Sequence, residues 1–98
     1  MVEIRNRTAS DNIISRWYVY MLRCADNSLY TGISTDVARR VMEHNQTRRA
    51  AAYTRARRPV VLVYTEVCPD RSGALKREHA IRRMSAAAKA MLINGSQQ

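Results

Sequence analysis

Two phenols, a guanidinium, an imidazole and a carboxylate stand out along the chain. They are Tyr20, Tyr30, Arg40, His44 and Glu78, the side-chain types a phosphodiester-cleaving site needs. Tyr20 and Tyr30 lie five residues on either side of Ala25. A symmetric hairpin would set them opposite one another on one face, and a plain pair of cross-strand rim residues is the competing account. Arg40 and His44 are spaced i,i+4, so on a helix they share one face directly after that hairpin. Alone they would pass for an ordinary solvated edge; beside two tyrosines they look convergent.

Glu78 is the most informative single residue. On a helix predicted over 73–83, Ala74, Leu75 and Ile81 define the apolar arc, and a period of about 3.6 residues puts Glu78 inside it. A carboxylate on the core side is costly unless it is paired, protonated or metal-bound. An ion pair with a nearby arginine such as Arg82 and a metal ligand both satisfy it. A hard divalent cation such as Mg²⁺ suits one carboxylate with several waters, with phosphate supplying further ligands. Between these helices, residues 46–58 form a basic loop in which Arg48, Arg49, Arg55, Arg57 and Arg58 surround Tyr53. That mixture serves phosphate contact and base stacking, and a solvated loop is the alternative.

The elements that must hold these groups are legible in outline. Trp17 to Arg23 reads as a strand and 29–33 as its return partner, with a turn over 25–28. Gly32 inside the return strand predicts a bulge or a close backbone approach. Ser34 or Thr35 is placed to cap the next helix, with Asp36 in its first turn. On that helix Val37, Ala38, Val41 and Met42 share a face, Arg39 and Glu43 form a solvated pair opposite, and Arg40 and His44 take the flank. A short helical turn is expected near 50–52. The most apolar run, 60–67, reads as a central strand covered on both faces. Ser72 is a plausible cap for the helix over 73–83, and Ser85 for a last helix that Asn94 and Gly95 stop after Ile93. Residues 1–15 and 95–98 read as mobile tails around a domain over 16–94. The pattern β-β-α-β-α-α predicts an α+β domain on a three-stranded, mainly antiparallel sheet with helices on both sides.

Bulk composition points the same way. Ninety-eight residues make one domain, and 17 Lys plus Arg against 8 Asp plus Glu give a formal charge of +9. Most of the cations are arginine, whose planar fork suits phosphate, so a polyanion is the expected partner. Cys24 and Cys68 belong to no CxxC pair and no zinc-finger spacing, and free thiols in a reducing cytoplasm are the expectation. No stretch reads as a secretion signal or membrane span.

These residues resemble a known family. Tyr18-Val19-Tyr20, Tyr30-Thr31-Gly32, Arg40, His44 and a late helical Glu78 are similar to the GIY-YIG nuclease superfamily, specifically its small stand-alone bacterial members. The likeness runs from Trp17 to Ile93 and includes Tyr53-Thr54-Arg55 and Arg57-Arg58-Pro59. Tyr18 stands where the family has glycine and Thr31 where it has isoleucine. The resemblance implies a metal-dependent endonuclease acting on DNA, with RNA open, through one Mg²⁺ or Mn²⁺ and a role in repair or processing. Tyr20, Tyr30, Arg40, His44 and Glu78 would be its catalytic residues, with Glu78 holding the metal. A non-catalytic nucleic-acid-binding module on the same scaffold is the alternative, and a basic adaptor for an acidic protein is a third.

Overall fold

A computed structural model describes residues 16–96, so the expected tail at 1–15 and the last two residues of the one expected at 95–98 lie outside the described residues, while residues 95 and 96 belong to the last helix. The first strand, β1 (Trp17–Arg23), pairs antiparallel with β2 (Leu29–Ser34) through a turn in which Asn27 takes a left-handed φ of 71°. Helix α1 (Val37–Gln46) and a one-turn helix α2 (Ala52–Arg55) follow. Strand β3 (Val61–Cys68) is followed by α3 (Arg71–Arg82) and α4 (Ala86–Ser96). The sheet order is β2-β1-β3, antiparallel throughout, which is the predicted fold class.

The central strand is β1, not the most apolar run. Val19 to Leu22 are four consecutive buried residues, as a strand covered on both faces requires. By contrast β3 is an edge, and Val61 and Val67 are 60% and 54% exposed. Both strands are strongly apolar in sequence; what separates them is that β1 has β2 on one side and β3 on the other, whereas β3 pairs with β1 alone. The register slips between Met21 and Leu22 against β3, so the irregularity foreseen near Gly32 sits on the other side of β1.

Alternation along β1 divides the interior into two cores. Val19 and Met21 pack with Ala74, Ile81 and Ile93 under α3 and α4. Tyr20 and Leu22 face the other way, against Val60, Val37 and Val41 beneath α1. The active-site candidates of the hairpin therefore lie on the α1 side. Cys24 and Cys68 are free, buried, and in different cores.

Two helix starts differ from expectation for one reason. Asp36 caps α1 by accepting from Arg39 N at 3.1 Å, and Asp70 caps α3 by accepting from Gly73 N at 2.7 Å. A carboxylate gains both the hydrogen bond and the dipole, so it outcompetes the neighbouring hydroxyls. Ser34 instead accepts from Asp36 N, while Ser85 caps α4 as expected. Helix α4 runs through Asn94 and Gly95 to Ser96, since neither residue adopts the left-handed conformation that would end it.

Candidate active site

Helix α1 is rotated relative to the apolar stripe read from its sequence. His44 is its buried residue, Val37 and Val41 are half-buried, and Ala38 and Met42 face solvent. The rotation puts His44 under the hairpin and turns Glu43 inward. Glu43 is not a solvated partner of Arg39. Its side chain is 13% exposed and lies 3.1 Å from Arg40, 3.8 Å from Arg39 and 3.9 Å from Arg49. Arg40 also donates to the Arg49 carbonyl at 2.8 Å, so α1 and the basic loop jointly fix its guanidinium.

Tyr20 and Tyr30 share a face but are not directly opposed. Tyr20 pairs with Gly32 and Tyr30 with Leu22, which makes the tyrosines diagonal neighbours with ring centroids 6.4 Å apart. Gly32 supplies the room: a Cβ there would lie 2.6 Å from the Tyr20 hydroxyl and 2.7 Å from its ring. The close approach foreseen at this glycine is thus made by a side chain.

Around the Tyr20 hydroxyl the hydrogen bonds settle a proton inventory. Thr54 Oγ1 donates to the Ala51 carbonyl at 3.0 Å and lies 2.7 Å from His44 Nδ1. With its one proton used, Thr54 must accept, so Nδ1 carries the hydrogen and Nε2 is the bare nitrogen. Tyr20 then donates to Nε2, at 2.8 Å. Burial first, and the charge of Arg40 next, push His44 down to about 4, which leaves it neutral and able to accept at pH 7. Burial also raises Tyr20 above the usual phenol range, with Tyr30 and Glu78 adding to the shift and Arg40 opposing it.

Tyr30 lies edge-on to His44, with centroids 5.1 Å apart, and stacks against Tyr53 at 6.1 Å. Arg57 covers the ring of Tyr53 at 3.9 Å and is itself anchored by Asp26 at 3.0 Å. The row Arg57, Tyr53, Tyr30, His44 and Tyr20 is one continuous packing chain. It joins the basic loop to the hairpin.

Glu78 is 9% exposed on the inner side of α3, where the sequence pattern located it, and pairs with Arg82 at 3.0 Å. Its charge acts on Tyr20, so acid and phenol belong to one electrostatic neighbourhood. Among the described residues no three His, Cys, Asp or Glu side chains cluster as a metal cage. One nearly buried carboxylate, paired with an arginine whose side chain is half-exposed, still fits a hard cation that keeps most of its ligands as water and phosphate oxygens.

Of the loop arginines, Arg48, Arg49 and Arg55 are exposed. Arg55 donates to the Arg48 carbonyl at 3.3 Å. Arg58 turns inward and donates to the carbonyls of Glu43, His44 and Thr47 at the end of α1. Two neighbours of the site escape a reading of the sequence. Thr54 lies in the Tyr-Thr-Arg phrase, but a threonine in a polar loop carries no periodic signal. Lys89 has one available signal, as the sole charged residue of α4.

The described helices include none long and apolar enough to cross a membrane. Comparison with known proteins agrees with the geometry. The chain is 54% identical over 82 residues to a UPF0213 protein of Desulfotalea psychrophila, covering 84% of this chain and 74% of that one. It is 45% identical over 80 residues to a UPF0213 protein of Staphylococcus haemolyticus, covering 82% and 96%. The solution NMR structure of a UPF0213 protein from Bacillus halodurans superposes with a TM-score of 0.52 at 39% identity, covering 81% of this chain and 83% of that one. The family described as the GIY-YIG catalytic domain matches residues 16–91, and with its paired tyrosines, helical Arg40 and His44 and inward Glu78 on one antiparallel sheet, the chain belongs to the small stand-alone members of the GIY-YIG nuclease superfamily.

Proposed function

We propose that this chain is an endonuclease that hydrolyses phosphodiester bonds in DNA, with a divalent cation, Mg²⁺ or Mn²⁺, held by Glu78. The observation that carries the reading is the hydrogen-bonded row Tyr20, His44, Thr54, in which a phenol oxygen already points its proton at a neutral imidazole. Water attacks the phosphorus as Tyr20 takes its proton and passes its own to His44 Nε2. The bond to the 3′ oxygen breaks, that oxygen takes a proton from solvent, and a 3′ hydroxyl and a 5′ phosphate result. This relay avoids a free phenolate, which burial disfavours at Tyr20. Arg40, beside Tyr20, offsets charge that builds on the non-bridging oxygens. A bound divalent cation supplies Lewis-acid stabilisation of the departing oxygen. Tyr30 packs against both Tyr20 and His44.

The exposed arginines Arg48, Arg49 and Arg55 bind the flanking backbone in this reading, and Tyr53, Arg57 and Arg58 support the loop that presents them. A surface this small favours structure over sequence as the feature recognised, in keeping with a repair or processing role in the cytoplasm, where Cys24 and Cys68 stay reduced. The test is nicking of plasmid and branched DNA with Mg²⁺ or Mn²⁺ against a chelator control. Tyr20→Phe is expected to lower the rate by about 10²-fold or more, the range for removal of a general base. Glu78→Gln is expected to abolish the metal-dependent part while retaining DNA binding. Binding without cleavage by the parent protein would leave the non-catalytic module standing.

A further inference from the structure

A cleft of about 420 Å³ opens beside Tyr30, between the β2 edge, α2 and α4. Its lining is Leu29, Tyr30, Thr31, Tyr53, Arg82 and Lys89. One side is apolar and aromatic. The other is cationic.

Three details of the lining point to a ligand. Lys89 is half-buried, and among the described residues its ammonium has no ion-pair or hydrogen-bond partner. It is the sole charge on an otherwise alanine-rich and apolar helix, with its stem packed and its ammonium left for the cleft. Arg82 is held between Glu78 and the Thr31 carbonyl, which keeps a second guanidinium at the cleft with 54% of its side chain exposed. Tyr53 has one face covered by Arg57 and stacks on Tyr30, so it offers the cleft an edge against which a planar ring packs.

We propose that this cleft is a subsite for one unpaired nucleotide adjacent to the scissile bond, with its phosphate on Lys89 and Arg82 and its base against Leu29 and the Tyr30–Tyr53 edge. The place next to a scissile bond rests on the proposed nuclease function; the binding chemistry of the cleft does not. The volume is at the lower end of small-molecule pockets, roughly 300–1,000 Å³, which takes a single nucleotide. A base held in a duplex must leave its stack to enter, at a cost of a few kcal/mol, whereas an unpaired base enters without that cost. Single-stranded segments, flaps and frayed ends are therefore the preferred class of substrate. A free nucleoside monophosphate shares the same chemistry.

The test measures binding by fluorescence anisotropy with a chelator present, so that no cleavage occurs. The probes are a short single strand, a blunt duplex of the same sequence, and thymidine 5′-monophosphate with inorganic phosphate as its control. The single strand is expected to bind more tightly than the duplex. Lys89→Ala is expected to weaken single-strand binding about 3- to 10-fold and to lower the salt slope by about 0.7, one phosphate's share for a single strand. Duplex binding should change less than about 2-fold, and Lys89→Arg should restore the parent affinity. Alanine is the best helix former, and an unchanged melting temperature checks that α4 is intact. Equal weakening on single strand and duplex, or none on either, overturns the subsite. Competition by the mononucleotide without any single-strand preference overturns the strand as its ligand. Because no metal is present, absence of nicking in the cleavage assay would not alter this result, and nicking that ignores Lys89 would remove the subsite while leaving the nuclease.

Discussion

His44 is the residue on which the proposed proton transfer and stability meet. Burial holds its folded value down to about 4, whereas an unfolded histidine titrates near 6.5. Between about pH 6.5 and 4 the unfolded chain binds a proton that the folded chain does not, so stability declines as pH falls through that window and is at full value above it. The fully buried ring makes the effect on the order of 3 kcal/mol. Urea midpoints measured across that range should fall in the parent protein, and His44→Gln should be less stable at neutral pH but flatter with pH. An equally steep dependence in the variant would assign the effect to other groups. Gly32 tests the geometry above the ring. Its φ is not left-handed, so the strand conformation tolerates alanine, but the added Cβ meets Tyr20 Oη at 2.6 Å. Gly32→Ala is expected to cost about 1–3 kcal/mol by overpacking and to depress cleavage together with melting temperature. Retention of full activity would show that Tyr20 need not hold this position. Sequence alone marks this glycine, because a glycine inside a strand is a recognisable exception. It does not mark Thr54, whose part depends on a loop folding back beneath α1.

At the scale of elements, the α1–α2 connection is built by arginine as much as by apolar contact. Arg58 donates to the carbonyls of His44 and Thr47 at the end of α1 and shares that of Glu43 with the Thr47 N–H. Asn45 adds a reciprocal pair with Val60, its amide donating to the carbonyl and its oxygen accepting from N–H at 2.9 and 2.7 Å. Arg58→Met keeps much of the stem while removing these bonds, and about 1–3 kcal/mol of stability should go with them. The salt slope of DNA binding should stay as in the parent. A reduced slope at unchanged stability would return Arg58 to the binding surface that its sequence context implies. Element types are legible because 3.6 and 2.0 periodicities survive in any tertiary setting. Strand order and helix rotation are not, since β1 and β3 are both apolar runs. The stripe of α1 misleads because the buried position belongs to a histidine, which no apolar count includes.

For the whole molecule, the charge of +9 is unevenly committed. Arg57, Arg77 and Arg82 each face a carboxylate, and Glu43 gathers Arg39, Arg40 and Arg49. Arg48 and Arg55 have no carboxylate partner among the described residues, and Arg49 keeps 80% of its side chain exposed despite its distant approach to Glu43. These three project from the loop that also fixes Arg40 through the Arg49 carbonyl, so the surface proposed to attract the backbone is mechanically tied to the group beside Tyr20. Net charge predicts a polyanionic partner from composition, but only the fold separates arginines that build the loop from those that face outward. Replacing Arg48, Arg49 and Arg55 together by glutamine should lower the slope of log affinity against log salt by about 2–3, near 0.7–0.9 for each phosphate no longer neutralised. Cleavage at saturating DNA and low salt should fall far less than binding, since the guanidinium of Arg40 and its carbonyl anchor are retained. A collapse of the saturated rate with an unchanged slope would mean that the loop acts on the chemistry and not on attraction.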